Sequence, residues 1–207
     1  MPTEVGEVGE GLEPAVLVIE NASRKALAGW ELAGAGEADV VLGVDTEVFL
    51  DGRALGKAGT EAQARERLQA LSGRTHEVLS GVALAGSLEL AEEAHAPHGK
   101  PRQPRADRAP GSPPSLTTGV ARSSVTFRAL DEPTLHAYLR SGEWRDRAGA
   151  YAIQGLGSLL VERVEGDVSN VVGLPLQRLL ELSPALCPAI SSDSRSAGEN
   201  SGPQVYP

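Results

Sequence analysis

The alternation of apolar and polar residues along the chain predicts helices and short strands that interleave. Residues 14–29 read as a helix, because a proline suits the first turn and small or apolar residues recur on adjacent turns. A β-rich apolar run follows, and it predicts two strands at about 39–44 and 46–50. Gly43 breaks this run, so Asp45 is expected at the junction of the two strands.

Turn and cap residues define the elements that come next. Asp51-Gly52 is a hairpin turn signal, and a short strand is expected around 53–56. Thr60 is a candidate cap for a helix over 60–71. Later segments predict strands at 75–85, 124–129 and 159–165, helices at 132–141 and 174–182, and a glycine-bounded turn at 148–154. Interleaved strands and helices indicate an α/β fold, and the hairpins predict a mixed sheet.

A proline-rich stretch interrupts this pattern. Residues 94–122 contain six of the chain's 14 prolines and a locally basic run. This composition predicts a disordered insertion at a hairpin tip, in preference to an arm that binds nucleic acid. The chain is therefore expected to fold as one domain over 14–183, with disorder at 1–13 and in a polar tail over 184–207.

Composition and charge narrow the function classes. The formal net charge of -9 disfavours non-specific binding to nucleic acid, although a few local cations suffice to bind a nucleotide. The single cysteine, Cys187, excludes an intrachain disulfide and a cysteine-based zinc site. No apolar run is long enough to cross a membrane, and the acidic start does not resemble a secretory signal. We expect a soluble, cytoplasmic protein with no membrane partner.

One short cluster contains a candidate carboxylate, and a second contains a candidate cation. In Gly43-Val44-Asp45-Thr46, a carboxylate at a strand end would suit a metal ligand or a general base, and equally a turn aspartate that caps its own backbone. In Leu55-Gly56-Lys57, the lysine can reach a phosphate as a mobile point charge, or it is a solvated surface group. The glycine spacing is not that of a P-loop.

Two further clusters carry other polar groups. His76 lies in Ser72-Gly-Arg-Thr-His-Glu77, where the residue types would permit a Ser/His/Asp hydrolase, but no nucleophile elbow is present. We therefore expect His76 to orient a loop. The string from Ala148 to Gly157 contains glycines that let backbone amides approach a ligand, and Gln154 offers the donor and acceptor that suit a nucleobase edge. The glycines also suit tight turns.

Taken in order, these clusters resemble the Maf family of nucleoside triphosphate pyrophosphatases. The Arg-Thr-His-Glu-Val and Gly-Ala-Tyr-x-Ile-Gln-Gly strings are similar to the branch that acts on dTTP and UTP. The resemblance covers most of residues 22–182 apart from the insertion. The matching strings are ADVVLGVDTEVFLDGRALGK, ALSGRTHEVLSGVAL, VTFRAL, DRAGAYAIQGLG and VERVEGDVSNVVGLPL.

The resemblance implies a fold, a reaction and a set of site residues. The fold is that of the inosine-triphosphate pyrophosphatases, with a mixed twisted sheet, flanking helices and a cleft between two lobes. The reaction converts dTTP or UTP to the monophosphate and pyrophosphate with Mg²⁺ or Mn²⁺; modified pyrimidine nucleotides are left open as substrates, and a homodimer as an assembly. Asp45 takes the general-base or metal role, Thr46 and Gln154 the base-selecting positions, and Lys57 and Lys25 the phosphate contacts.

One family feature has no match in the chain. Family members begin with an apolar strand and a Ser-x-Ser-Pro-Arg-Arg loop whose arginines bind triphosphate. Its absence leaves two readings open: a pyrophosphatase impaired in the chain as written, or an inactive nucleotide-binding or interaction protein derived from the same family. On either reading the expectation is that the chain as written, with its N-terminal strand missing, hydrolyses nucleotides poorly.

Overall fold

The computed structural model describes residues 12–33, 40–86 and 114–184. Helices and strands interleave along these segments, singly or in pairs. The helices are α1 (Pro14–Ala33), α2 (Glu61–Leu71), α3 (Glu132–Ser141), a 3₁₀ helix (Gly155–Leu160), α4 (Val168–Val172) and α5 (Leu176–Leu182). The strands are β1 (Val40–Leu50), β2 (Arg53–Ala54), β3 (Thr75–Gly86), β4 (Ser115–Phe127) and β5 (Val161–Glu165). None of the helices described is long and apolar enough to cross a membrane.

The strands form one five-stranded sheet in the order β2-β1-β3-β4-β5. Each pair of neighbours in this sheet is antiparallel. The predicted class, strands with flanking helices, is therefore confirmed. The prediction of a mixed sheet was wrong for the part of the chain described, since no parallel pair occurs there. The cleft between two lobes stays a prediction.

Helix α1 packs closely on one face of the sheet because two glycines lie beneath it. A Cβ at Gly43 would lie 2.2 Å from the backbone oxygen of Ala22, and one at Gly81 would lie 2.0 Å from that of Val18. Gly43 therefore makes room for a helix and does not interrupt the strand. The prediction of a break at Gly43, with Asp45 exposed at a strand end, was wrong: β1 runs unbroken from Val40 to Leu50.

The opposite face carries the larger apolar core. Strands β1, β3 and β4 contribute to it, together with α2, α3 and the segment that leads into the 3₁₀ helix. The largest fully buried side chains of this cluster are Phe127, Leu68, Leu71, Leu135, Leu139 and Leu160. A small α1 interface and a large opposite core thus enclose the sheet between them.

Signals read from adjacent residues agree with the structure. Thr60 caps α2, and its side chain accepts a hydrogen bond from the backbone of Gln63. Asp51 and Gly52 both have positive φ, 51° and 75°, as a type I′ hairpin turn requires. Helix α1 starts at Pro14 as predicted but continues to Ala33, since its apolar face remains in contact with the sheet.

Three later elements also begin at residues other than the predicted ones. Strand β4 begins at Ser115 and not at 124, because it pairs with β3 along its whole length; the end of the predicted insertion 94–122 therefore belongs to the sheet. Strand β5 begins at Val161, after the 3₁₀ helix. The predicted helix at 174–182 begins at Leu176, and the short helix α4 before it was missed. Most of the insertion, and most of each predicted disordered terminus, lie outside the described residues.

Candidate active site

Asp45 lies in the middle of β1, under α1, and its carboxylate is held by two side chains of that helix. Lys25 Nζ lies 2.5 Å from Asp45 Oδ1, and Asn21 Nδ2 donates to Oδ2 at 3.2 Å. Only 9% of the Asp45 side chain is exposed, against 26% for Lys25. Asn21 and Lys25 are four residues apart and so project from the same face of the helix. The result is a nearly buried carboxylate with a cation at its outer side.

Thr46 projects to the opposite face of the sheet, because successive side chains of a strand alternate. Its hydroxyl lies 2.7 Å from Ser80 Oγ, on the neighbouring strand β3. Asn170 of α4 lies behind this pair and is fully buried; its amide nitrogen donates to Ser123 Oγ and to the backbone oxygen of Val78, each at 3.0 Å. Thr46 thus belongs to a polar layer between the sheet and α4, and not to the immediate surroundings of Asp45.

Lys57 lies on the segment that follows the β1–β2 hairpin. The hairpin pairing continues past β2, since the backbone nitrogen of Leu55 donates to Val48 at 2.9 Å. The carboxylate of Glu47, two residues after Asp45, accepts from the backbone of Gly56 at 3.0 Å. Because of these bonds, the segment that leads to Lys57 runs beside β1, the strand that carries Asp45. The Lys57 side chain is exposed, and in the described part of the chain it makes no hydrogen bond or ion pair.

Gln154 lies at the start of the 3₁₀ helix with its side chain exposed. Its segment is joined to that of Lys57, since Lys57 and Ala148 form an antiparallel bridge and the backbone of Gly149 donates to Gly56 at 2.9 Å. After Gln154, the carboxylate of Glu143 accepts from the backbone nitrogens of Leu156 and Gly157, each at 3.2 Å. The backbone around Gln154 is therefore anchored on both sides.

A buried histidine lies behind this segment. His76 Nε2 is 2.8 Å from Tyr151 Oη, and the two rings, with that of Phe127, pack edge to face. Burial lowers the pKa of His76 to about 4, so the imidazole is neutral at neutral pH. Burial likewise raises the pKa of the Tyr138 hydroxyl to about 12, and that hydroxyl accepts from the backbone of Ala152 at 3.1 Å.

The sequence profile of the family described as Maf-like protein matches residues 1–185. The chain belongs to the Maf family. Similar proteins include the dTTP/UTP pyrophosphatase of Moorella thermoacetica (strain ATCC 39073 / JCM 9320), 42% identical over 183 residues, which cover 87% of this chain and 80% of the relative. The dTTP/UTP pyrophosphatase of Clostridioides difficile (strain 630) is 38% identical over 173 residues, 84% of this chain and 75% of the relative. That of Pyrococcus abyssi (strain GE5 / Orsay) is 34% identical over 181 residues, 87% and 81% of the two chains.

The Maf resemblance implied five site residues; the structure places four of them in two pairs, and Thr46 in neither. Lys25 and Asp45 are in direct contact through their side chains. Lys57 and Gln154 lie on two loop segments that are bonded to each other through their backbones. Thr46 adjoins Asp45 in the chain but faces the other side of the sheet.

Sequence reasoning missed the supporting residues. Asn21 was not singled out, although its spacing of four residues from Lys25 on a helix was a usable signal. Ser80, Asn170 and Glu143 meet their partners only across long stretches of chain, and no local pattern marks them.

Proposed function

We propose that this Maf protein is a nucleoside triphosphate pyrophosphatase that hydrolyses dTTP and UTP to the monophosphate and pyrophosphate. Its similarity to dTTP/UTP pyrophosphatases over more than four fifths of its length supports the activity. The observation that carries the mechanism is the contact of Lys25 with the buried carboxylate of Asp45.

The surroundings of Asp45 suit its role in attack at the α-phosphorus. Asn21 and Lys25 hold both oxygens of the carboxylate, so its orientation is set before substrate arrives. A positioned carboxylate of this kind can orient the attacking water and take its proton. The ammonium of Lys25, beside the carboxylate and partly exposed, is placed to share its charge with a phosphate oxygen. Lys57, whose side chain is exposed, supplies a second cation for the more distant phosphates.

A divalent cation fits these residues only together with the substrate. Within the described residues, no group of three or more His, Cys, Asp or Glu side chains could hold a metal ion. Mg²⁺ is commonly bound by one or two carboxylates while substrate phosphates and water complete its shell, and Asp45 can supply one such carboxylate. When bound, the ion would neutralise phosphate charge and favour formation of the attacking hydroxide.

Thr46 and Gln154 are proposed to select the base. The Thr46 hydroxyl has one donor and two acceptor positions, so its bond to Ser80 leaves a position for the nucleotide. The amide of Gln154 can pair with the O4 and N3–H of uracil or thymine, which lie side by side as acceptor and donor. Both positions are supported by neighbouring residues. Ser80 contacts the Thr46 hydroxyl, and the bonds of Glu143 fix the backbone that follows Gln154.

Product analysis tests the proposed reaction. The purified chain is incubated with dTTP or UTP and Mg²⁺ or Mn²⁺, and the released pyrophosphate and orthophosphate are measured separately. Whatever the rate of turnover, we expect one pyrophosphate and one monophosphate for each nucleotide consumed. Release of orthophosphate would place attack at the γ-phosphorus and overturn the proposal. Binding of dTTP without hydrolysis would favour instead a nucleotide-binding protein that has lost catalysis.

A further inference from the structure

The loop that carries Gln154, defined here as residues 149–157, has a constrained backbone. Gly149 and Gly155 have positive φ values of 65° and 66°, and Ala150 between them has φ 61°. Alanine rarely adopts this left-handed conformation, which costs an L-residue about 1–2 kcal/mol. The Ala150 side chain is fully buried, so packing around it holds the loop in this shape. A backbone in this unfavourable left-handed conformation needs contacts that hold it in place.

Tyr151 is the anchor next to Ala150. It is 5% exposed, and its hydroxyl meets His76 Nε2 at 2.8 Å. His76 lies on β3, which is the central strand of the sheet, and is 2% exposed. The loop is thus bonded through a side chain to the central strand of the sheet. Gln154 follows Tyr151 by three residues.

Filling space in the core does not explain why a histidine stands at this position. His76 Nδ1 is buried and has no hydrogen-bond partner among the described residues. Leaving a buried polar group unpaired costs about 1–3 kcal/mol, and an aromatic ring such as phenylalanine could fill the same space without that cost. What a phenylalanine could not supply is the bond to Tyr151.

The bond between His76 and Tyr151 would matter for selecting uracil over cytosine. A glutamine amide that turns over exchanges its donor and acceptor, and it then pairs with the amino edge of cytosine as well as with the keto edge of uracil. A loosely held Gln154 would therefore bind both bases. Discrimination needs the loop to hold the amide in one place and orientation, since misplacement by about 1 Å can cost ~10²-fold in rate.

We propose that His76 is a positioning residue for base selection: through Tyr151 it fixes the loop that presents Gln154 to the nucleobase. This rests on the proposed function, in which Gln154 contacts the base. His76 itself does not contact the nucleotide or the reacting atoms. The loop's other anchors, Glu143 and Tyr138, bond its backbone through contacts in which His76 takes no part.

The test compares full-length variants His76→Phe, His76→Gln, Tyr151→Phe and His76→Phe/Tyr151→Phe. The measured quantity is the ratio of kcat/KM for UTP to that for CTP. We expect His76→Phe to lower this ratio at least about tenfold, mainly through KM, and Tyr151→Phe to lower it similarly. The double variant should lower it no further, because both changes remove one bond. His76→Gln, whose amide nitrogen lies near the position of Nε2, should restore most of the ratio.

The ratio of kcat/KM for UTP to that for CTP distinguishes partial unfolding of a variant from loss of positioning. A variant that is partly unfolded loses activity on UTP and CTP in equal proportion, so an unchanged ratio in His76→Phe would overturn the proposal. Equal ratios in His76→Phe and His76→Gln would also overturn it, since the hydrogen bond would then not matter. His136→Gln, at an exposed histidine on α3, is the matched control and should keep the wild-type ratio.

Equilibrium binding distinguishes failure of this proposal from failure of the proposed function. The non-hydrolysable α,β-imido analogues of UTP and CTP are titrated into each variant. If the wild type binds the UTP analogue preferentially but does not hydrolyse UTP, the reaction is wrong and the positioning role is judged from the affinity ratios, with the same expected changes. If the wild type binds neither analogue, both proposals are overturned.

Discussion

Lys25 Nζ lies 2.5 Å from Asp45 Oδ1, and this contact joins a helix to the middle of a strand in the sheet beneath it. The pair is asymmetric, because the carboxylate is nearly buried and the ammonium is partly open to solvent. A buried carboxylate needs such a partner, since an unpaired buried charge is costly. Under the proposed function, the same partly exposed cation also binds an incoming phosphate. One ion pair would then serve both the fold and the reaction.

Asp45→Asn is expected to reduce kcat for dTTP hydrolysis by about 10²–10⁴-fold while the protein remains folded. An amide cannot accept the proton from water and carries no charge to hold a divalent cation. The check is steady-state release of pyrophosphate, with a thermal melt to establish folding. Asp51→Asn, in the exposed hairpin turn, is the matched control and should stay within about twofold of the parent, because asparagine tolerates the positive φ found there. Turnover of Asp45→Asn within a few-fold of the parent would remove Asp45 from the mechanism.

Lys25→Met is expected to lower the free energy of unfolding by about 1–3 kcal/mol. Removing the cation leaves a buried carboxylate with Asn21 as its remaining described partner; the effect stays below that of a fully buried pair because Lys25 is partly exposed. In an Asp45→Asn background the same change should cost clearly less. Urea unfolding of the two single variants and the double variant measures this coupling.

Arg163→Met is the control for the Lys25 variant. Arg163 forms an exposed pair with Glu165, so its removal should change the free energy of unfolding by less than about 0.5 kcal/mol. Additive effects at Lys25 and Asp45 would contradict the prediction.

Gly81→Ala is expected to destabilise the fold by about 1–3 kcal/mol or more, because its Cβ would lie 2.0 Å from the backbone oxygen of Val18 and would push α1 off the sheet. Gly59→Ala is the matched control. Its Cβ would lie 3.4 Å from the side-chain oxygen of Gln63, an ordinary contact, so little change is expected. Urea unfolding compares the two. Equal stability of both variants would show that α1 is not seated as closely as described.

Stability should fall as the pH is lowered from about 6.5 towards 4, because of His76. Its pKa is about 4 in the folded protein and 6.5 in the unfolded chain, so in this window the unfolded state binds more protons. At pH 5.0 the loss is about 2 kcal/mol, at about 1.36 kcal/mol for each pKa unit, or a decrease in Tm of about 4–8 °C.

Thermal melts between pH 7.5 and 5.0 test this dependence on His76. His76→Phe should lose most of the slope, because no titrating group remains at that site. His136→Gln should keep it, since that histidine is exposed. An identical slope in His76→Phe and the parent would assign the pH dependence to other groups.

Much of this protein could be predicted from residues that are adjacent in the sequence. The turn at Asp51-Gly52 and the cap at Thr60 depend on local backbone conformation, which short-range chemistry determines. The resemblance to the Maf family also came from short strings. The family profile confirms it. The roles given to Asp45 and Gln154 stay predictions until the variants are measured.

Only the tertiary structure decided how those residues are surrounded. From the sequence, Gly43 was interpreted as a break in a strand. In the structure, its lack of a Cβ lets α1 pack closely on the sheet, although that helix is about twenty residues away in the chain. Asp45 is therefore buried under the helix. Likewise, β4 extends back to Ser115 because β3 supplies hydrogen-bond partners along its length, which no local pattern reveals. The contact of His76 with Tyr151 spans 75 residues of sequence. Burial, choice of sheet face and hydrogen-bond partner depend on which distant segments pack together, and a local sequence pattern carries no direct record of that packing.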